Sequence, residues 1–211
     1  MNKIWLYINF IRSFVLYIMI SVSGNQELIF EEIDYWYRIN HWNDKTTVSK
    51  LIKLNWLICY EKAYRNLLCY RLKKFEDNKL VGTSVSSVIC KIIIPGEKTL
   101  IIATDEIGKN LYIQHGFSCC ITAKKIGENC WINQQVTIGY TFALNPPIIG
   151  NGVRISAGAK ILGDITLEDN VIVAANAAVT KDVGCSLIVG GVPAKEIGIN
   201  NDHRLYTKRE V

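Results

Sequence analysis

An aliphatic residue returns about every six positions through residues 107–179 of this chain, with small or polar residues in between. Most intervals are six residues long, and the exceptions are an interval of thirteen after Ile113 and one of eleven after Ile138. The aliphatic positions are Ile107, Ile113, Ile126, Ile132, Ile138, Ile149, Ile155, Ile161, Leu167, Val173 and Val179. A second lane, two residues earlier in the repeat, is mostly small or apolar and consists of Cys130, Val136, Val153, Ala159, Ile165, Val171 and Ala177.

This period excludes two common explanations of a regular apolar pattern. An amphipathic helix repeats about every 3.6 residues and a half-buried strand every two residues, so neither fits. A parallel solenoid fits, because each hexapeptide turns one aliphatic side chain inward and the coils stack on one another. Three hexapeptides form one coil, so the region predicts roughly five coils of a parallel β-helix.

The residues before the solenoid carry a helical pattern. Apolar residues at spacings of one, three and four recur between residues 25 and 74, as at Ile29, Ile33 and Trp36. Thr46 or Thr47 is expected to cap one of these helices. Residues 85–94 are apolar and rich in β-branched side chains, and they predict a strand that leads into the solenoid.

The chain is therefore expected to have three segments and to be mainly β in fold class. Residues 1–79 form an α-helical N-terminal domain, residues 80–197 form the β-helix domain, and residues 198–211 form a C-terminal tail.

Residues 4–22 are apolar enough that a membrane-spanning helix has to be considered. A polar group of Asn9, Arg12 and Ser13 lies in the middle at helical spacing, and an unpaired arginine at the centre of a bilayer costs at least about 2.5 kcal/mol. A mostly buried helix with one polar stripe is the preferred interpretation. A helix lying on a membrane surface and a true membrane span remain open.

Charge and cysteine content narrow the functional classes. The net charge is +5 and the basic residues are scattered, which gives nucleic-acid binding little support. The seven cysteines include no CxxC pair, which favours a reducing compartment and thiols that serve as small core residues. A cytoplasmic location is expected, with peripheral membrane contact through residues 1–22 as an open alternative.

Several segments resemble the hexapeptide-repeat acyltransferases, in particular their serine acetyltransferase-like branch. The similarity covers about residues 100–197, and its closing Gly-Val-Pro-Ala-Lys is typical of enzymes that use acetyl-CoA. The segments that carry it are Ile126–Asn129, Ile138–Gly139, Ile155–Gly163 and Val189–Lys195. The resemblance implies a left-handed β-helix, a homotrimer with active sites between subunits, and acetyl-CoA as donor. A dimer of trimers through the helical domain is left open.

His115 is the candidate catalytic residue, because it is the only one of three histidines inside the repeat. It directly precedes the thirteen-residue interval, where the regular coil gives way. An imidazole can take a proton from a hydroxyl near neutral pH. In the resembling family the matching histidine deprotonates the acceptor hydroxyl, which assigns the role of general base to His115.

Two departures from the family leave the acceptor undecided between L-serine and a sugar hydroxyl of a surface-polysaccharide precursor. Serine acetyltransferases carry Arg-His after the loop that begins at residue 140, where this chain has Asn145-Pro146, and they carry Asp where this chain has Gln114. Without a guanidinium, bidentate recognition of a carboxylate is lost. The family also has an acidic partner of the base some fifteen residues upstream, a position that falls near Leu100 here, and Asp105 or Glu106 is a candidate replacement for it.

The acetyl-CoA site is expected along the last coils, where small side chains leave room for a pantetheine arm. The candidate residues are Gly139, Ala157, Gly158, Ala159, Lys160, Ala174, Ala175, Gly190, Gly191, Pro193 and Lys195. An amide of the Ala157-Gly158 turn is a candidate donor to the oxyanion.

The sequence thus predicts an acetyl-CoA-dependent O-acetyltransferase that needs no metal. A metalloenzyme of the solenoid type needs three histidine ligands, and the repeat has one. A catalytically inactive trimeric scaffold is the alternative, because the fold alone does not establish activity.

Overall fold

The computed structural model describes residues 3–41, 48–77, 90, 92–142 and 145–201. The chain divides into two compact units, residues 1–97 and 98–211, called here the helical unit and the solenoid unit. The expected domain boundary between residues 79 and 80 lies outside the described residues.

The described part of the helical unit contains four long helices, as its apolar spacing predicts. Ser49 caps the third helix, since its hydroxyl accepts a hydrogen bond from the Ile52 amide at 3.5 Å. Thr46 and Thr47, the expected caps, lie outside the described residues. The helices are α1 (Lys3–Ser21), α2 (Gln26–Asn40), α3 (Lys50–Tyr60) and α4 (Lys62–Asp77).

Apolar side chains from α2, α3 and α4 form the core of this unit. Trp36 of α2 packs on Tyr64 of α4, with the ring centroids 5.2 Å apart. A charged pair is buried in the same unit: Arg71 donates from Nε and Nη2 to the Glu32 carboxylate at 3.1 and 2.6 Å. Fully buried members of the core include Ile29, Ile33, Leu54, Leu57, Ile58, Leu67 and Leu68.

Helix α1 exposes its apolar face, which corrects the expectation of a mostly buried helix. Asn9 and Ser13 are buried, and the Ser13 hydroxyl lies 2.9 Å from Asn55 Oδ1. This hydrogen bond turns the polar stripe inward, so the apolar side chains on the other side remain in solvent. They are Tyr7, Ile8, Phe10, Ile11, Phe14, Val15 and Ile18. No helix among the described residues is both long and apolar enough to span a bilayer.

The strand expected at residues 85–94 is wrong for the part that is described. Cys90, Ile92 and Ile93 are helical, and the Ile94 amide donates to the Cys90 carbonyl at 2.8 Å. Cys90 and Ile94 are both buried, so one helical turn places two apolar side chains inward. This packing outweighs the preference of β-branched residues for strands.

The solenoid unit consists of short strands that recur in a fixed order in three sheets, which confirms the predicted fold class. Sheet A joins β1, β4, β7, β10 and β13, sheet B joins β2, β5, β8 and β11, and sheet C joins β3, β6, β9, β12, β14 and β15. All pairs are parallel except β14 with β15. The strands are β1 (Leu100–Ile102), β2 (Glu106–Ile107), β3 (Tyr112–Ile113), β4 (Cys119–Ile121), β5 (Lys125–Ile126), β6 (Trp131–Ile132), β7 (Thr137–Gly139), β8 (Ile148–Ile149), β9 (Arg154–Ile155), β10 (Lys160–Leu162), β11 (Thr166–Leu167), β12 (Ile172–Val173), β13 (Ala178–Val179), β14 (Leu187–Gly190) and β15 (Lys195–Ile199).

Both predicted lanes of apolar residues point into the solenoid and are buried along their whole length. Ile121 belongs to the aliphatic lane as well, because it pairs in register with Ile138. The thirteen-residue interval is therefore an eight-residue step from Ile113 to Ile121 followed by a five-residue step to Ile126.

Most cysteines pack as small core residues, as expected. Burial raises the pKa of Cys130 to about 12, so its thiol stays protonated near neutral pH. Cys59 and Cys120 are only partly buried, and Cys185 is exposed.

Successive coils approach each other closely at Gly127, and this contact gives a test of the stacking. A Cβ there would lie 2.6 Å from the Gly150 carbonyl carbon and 2.7 Å from the Asn151 amide nitrogen, both backbone atoms of the next coil. We expect Gly127→Ala to lower the free energy of unfolding by about 1–3 kcal/mol, because the coils must separate. Urea unfolding followed by circular dichroism measures the loss.

Gly139→Ala is the matched control, because a Cβ at that position meets nothing within 4 Å. It should stay within about 0.5 kcal/mol of the parent protein. Equal stability of the two variants would contradict the described contact.

Candidate active site

His115 lies in the turn that leads from sheet C to sheet A. The register pairs Ile113 with Ile132 before the turn and Cys120 with Thr137 after it. The turn in the coil of His115 therefore comprises residues 114–119, whereas the equivalent turn of the next coil comprises residues 133–136. The turn thus holds two extra residues, which the hydrogen bonds place at 115 and 116. We call the stacked turns 114–118, 133–136, 156–159, 174–177 and 191–194 the His115 corner.

The local backbone turns the extra residues out of the coil. His115 and Gly116 both have positive φ, 64° and 69°, and the Gly116 amide donates to the Gln114 carbonyl at 2.8 Å. The His115 side chain is exposed, and it makes no hydrogen bond or ion pair with another described residue of its own chain. An unengaged imidazole on a rigid turn is available to an incoming hydroxyl.

The acidic partners considered for His115 lie elsewhere in the same chain. Asp105 belongs to the turn between sheets A and B, and Glu106 in β2 pairs with Lys125 at 3.0 Å. Neither residue is on the His115 corner, so within one chain neither can orient the imidazole. They were candidates for this role only because they are close to His115 in the sequence.

Several residues predicted to bind acetyl-CoA follow His115 along the same corner, in successive coils. The corner turns are hydrogen-bonded in a ladder: Gln135 donates to Phe117 O, Gly158 to Gln134 O, and Asn176 to Ala157 O, at 3.0, 3.0 and 2.9 Å. At about 4.8 Å per coil, the Ala157 turn is roughly 10 Å from the coil of His115. The candidates on this corner are Ala157, Gly158, Ala174, Ala175, Gly191 and Pro193, and the Val192–Pro193 peptide is cis.

Other candidates for the donor site occupy different positions. Ala159 is buried in the solenoid interior, and Gly190 is covered by Ile197 of β15, whose Cδ1 would lie 3.0 Å from a Cβ at Gly190. Gly139 ends β7 at the opposite edge of sheet A. Lys160 Nζ donates to the Gln135 carbonyl at 2.7 Å, and Lys195 is exposed in β15.

Of the two amides in the Ala157-Gly158 turn, the same ladder rules out that of Gly158 as the oxyanion donor, and that of Ala157 stays the candidate. The Gly158 amide already donates to the Gln134 carbonyl, so it is not free to stabilise a developing charge. The positive φ of 76° at Gly158 turns the chain at this rung.

Asn145 and Pro146 lie on a different corner from His115. They belong to the turn between β7 and β8, from sheet A to sheet B, of which residues 143–144 are outside the description. Asn145 Nδ2 donates to Asp164 Oδ2 at 3.1 Å, and both groups are exposed. Within one chain, therefore, Gln114 lies in the same turn as His115, whereas Asn145 and Pro146 lie in a turn on another corner.

Two aromatic residues beside His115 were missed by sequence reasoning. Tyr112 and Trp131 face each other in adjacent coils of sheet C, with ring centroids 4.4 Å apart, and Trp131 Nε1 donates to Gln114 Oε1 at 3.2 Å. Both residues directly precede a lane residue, a position whose side chain points outward in a strand. Inspection of that position along the repeat would have found them.

Comparison with known proteins agrees with this geometry. Residues 146–181 match the family described as bacterial transferase hexapeptide with six repeats. A serine acetyltransferase of Staphylococcus epidermidis is 40% identical over 67% of this chain and 70% of its own length. The chain belongs to the serine acetyltransferase family.

Further relatives extend the family match. A serine acetyltransferase of Staphylococcus aureus is 33% identical over 67% of this chain and 70% of its own length. Among solved structures, the serine acetyltransferase of Brucella abortus in complex with coenzyme A is 25% identical, with a TM-score of 0.59 over 87% of this chain and 72% of that chain. A serine acetyltransferase in complex with cysteine has a TM-score of 0.64 at 22% identity and shares the fold.

The described residues offer no cluster of three or more His, Cys, Asp and Glu side chains that could hold a metal ion.

Proposed function

We propose that this protein transfers the acetyl group of acetyl-CoA to a hydroxyl, with His115 as general base. The observation that carries the proposal is the two-residue insertion that presents an exposed histidine at the end of a corner lined by small residues. The relatives' names, and the coenzyme A bound to the Brucella enzyme, support acetyl-CoA as the donor.

The reaction is a single acyl transfer in which the proton balance closes on His115. The imidazole takes the proton of the acceptor hydroxyl while its oxygen attacks the thioester carbonyl carbon. The carbon–sulfur bond then breaks, and the departing coenzyme A thiolate takes the proton back from the imidazolium. No covalent enzyme intermediate is needed, because both substrates are bound together.

For the donor, we propose that the pantetheine arm follows the His115 corner toward Gly191 and Pro193. The small side chains of Ala157, Gly158 and Ala175 leave the backbone accessible there. The exposed Lys195 is placed to meet the anionic phosphates at the far end.

We also propose that the site is completed by a neighbouring copy in a homotrimer. Asn145 and Pro146, which occupy the positions where the family binds the substrate, lie on a different corner from His115 in their own chain. They serve the site only if corners of two copies meet. The exposed apolar face of α1 supports pairing of two trimers, because contiguous exposed apolar patches of this kind mark interaction surfaces.

L-serine is the first candidate acceptor, because the relatives are named serine acetyltransferases. A sugar hydroxyl is the second candidate, and a specific contact favours it. The side chain of Asn145, which stands where the family has arginine, is hydrogen-bonded to the Asp164 carboxylate. This carboxylate repels the carboxylate of serine at a position where a guanidinium would attract it.

Coenzyme A release from acetyl-CoA by the purified protein tests the proposal. One series contains L-serine and the other contains methyl glycosides as sugar acceptors. Release that depends on serine, or on a glycoside, supports acetyl transfer and selects the acceptor class. Release with neither would contradict the proposal and favour a catalytically inactive trimeric scaffold.

A further inference from the structure

Two buried thiols of the helical unit lie very close to each other. The sulfur atoms of Cys69, on α4, and Cys90 are 2.7 Å apart, and the two residues are only 8% and 0% exposed. Other thiol contacts among the described residues are made to oxygen, a smaller atom than sulfur, and yet they are 3.1–3.8 Å long. The sulfur pair is therefore compressed, and a covalent bond between the two atoms removes the compression.

Hydrogen bonds hold the two backbone segments that carry these sulfurs against each other. Asn66, three residues before Cys69 on α4, accepts from the Glu97 amide at 2.7 Å and donates to the Glu97 carbonyl at 3.1 Å. At the other end of the same segment, the Ile94 amide donates to the Cys90 carbonyl at 2.8 Å and closes one helical turn. The sulfurs thus face each other because both segments are fixed by contacts that do not involve the thiols.

A disulfide requires only a small displacement from this position. The sulfur–sulfur bond is about 2.05 Å long, so the two atoms have to approach by about 0.65 Å. The hydrogen bond with Cys69 and burial raise the pKa of Cys90, which keeps that residue a thiol near neutral pH. Cys69 retains some exposure, so it is the sulfur that a small reagent reaches first.

We propose that Cys69 and Cys90 form a reversible disulfide when the protein meets a low-molecular-weight disulfide such as oxidised glutathione. The Cys69 thiolate attacks one sulfur of the oxidant, which gives a mixed disulfide and releases one glutathione thiolate. The Cys90 sulfur then attacks the Cys69 sulfur and releases the second glutathione thiolate. Two protein thiols are oxidised, one disulfide is reduced to two thiols, and the two protons pass to the released thiolates.

The bond closes a loop between α4 and the last segment of the helical unit. It joins residues 21 positions apart and so reduces the conformational entropy of the unfolded chain. We expect the oxidised protein to unfold at a thermal midpoint roughly 5–10 °C above that of the reduced protein. Thermal unfolding followed by helical circular dichroism measures the difference.

Thiol mapping of the folded, full-length protein tests the site. The protein is incubated with oxidised glutathione or with dithiothreitol and is then unfolded in the presence of N-ethylmaleimide. Peptide mass spectrometry should find a disulfide that joins Cys69 to Cys90 in the oxidised sample, and both residues alkylated after dithiothreitol. Alkylation of Cys69 and Cys90 in both samples, or their pairing with other cysteines, overturns the proposal.

Cys69→Ala is the variant that removes the bond, and Cys185→Ala is the control, because Cys185 is exposed. Oxidised glutathione should raise the thermal midpoint of the parent protein and of Cys185→Ala equally, and leave that of Cys69→Ala unchanged. An equal rise in Cys69→Ala contradicts the assignment of the bond. The mapping needs no variant, so it decides the question even if Cys69→Ala does not fold. Neither measurement involves acetyl transfer, so the result is separate from that of the proposed function.

Discussion

Replacing His115 by alanine is expected to lower kcat for acetyl transfer by about 10²- to 10⁴-fold, the usual contribution of a general base. The side chain is exposed and makes no hydrogen bond with another described residue of its own chain, so its removal takes no packing from the solenoid. His115→Asn is the companion variant, because asparagine tolerates the positive φ of 64° and cannot act as a base. Coenzyme A release at saturating substrates measures the loss.

Two controls separate lost chemistry from lost structure. The dissociation constant for acetyl-CoA, measured by calorimetry, should change less than threefold in both variants. Sedimentation velocity should show the same assembly of the 23.9 kDa chain as in the parent protein. A kcat within threefold of the parent value would remove His115 as the base.

Glu32→Ala is expected to lower the free energy of unfolding of the helical unit by about 3–5 kcal/mol. The substitution leaves the Arg71 guanidinium buried without its bidentate partner, and an uncompensated buried charge is costly. Both residues are almost inaccessible, with 2% of the Glu32 side chain and 5% of the Arg71 side chain exposed. Urea titration followed by helical circular dichroism measures the change.

Glu31→Ala is the matched control one residue away on the same helix. Glu31 is exposed, and surface charges of this kind contribute about 0–1 kcal/mol. The double variant Glu32→Leu with Arg71→Leu should recover most of the stability, because paired charges can be replaced by apolar groups of similar volume. If Glu32→Ala and Glu31→Ala unfold at the same urea concentration, the pair is not buried in solution.

The solenoid could be predicted from sequence because its information is local. Each hexapeptide repeats the same requirement for one inward aliphatic residue, so the lane is visible without knowledge of the contacts. Ile121 was not recognised as a member of the aliphatic lane, because the step before it is eight residues and the step after it is five residues, and neither is the regular six. Only the register, which pairs Ile121 with Ile138, together with the hydrogen bonds of the corner shows that the insertion lies at residues 115 and 116.

Features that depend on contacts distant in sequence were beyond such reasoning. The inward polar stripe of α1 follows from the hydrogen bond between Ser13 and Asn55, 42 residues apart. The helical turn at Cys90 follows from the burial of Cys90 and Ile94 together. Propensity and apolar content predicted the opposite in both cases.

The candidate site likewise has some features that the sequence predicted and others that depend on distant contacts. His115 was recognisable as the single histidine in the repeat, and the small residues Ala157 and Gly158 were expected near it. The separation of Asn145 from His115 could not be predicted, because it depends on which corner each turn occupies. The contact between Trp131 and Gln114 could not be predicted either, because it depends on the pairing of β3 with β6 and joins residues 17 positions apart.

Strand β15 has a consequence for the solubility of the solenoid. A stack of parallel coils has no inherent stop, because its last rung presents unpaired N–H and C=O groups to any other chain. On sheet C the chain reverses after Gly190, and β15 runs antiparallel to β14, with the exposed charges of Lys195 and Glu196 at its start. The edge that sheet C presents is therefore a reversed strand that begins with two charged residues, which disfavours end-to-end growth of the solenoid into fibres there.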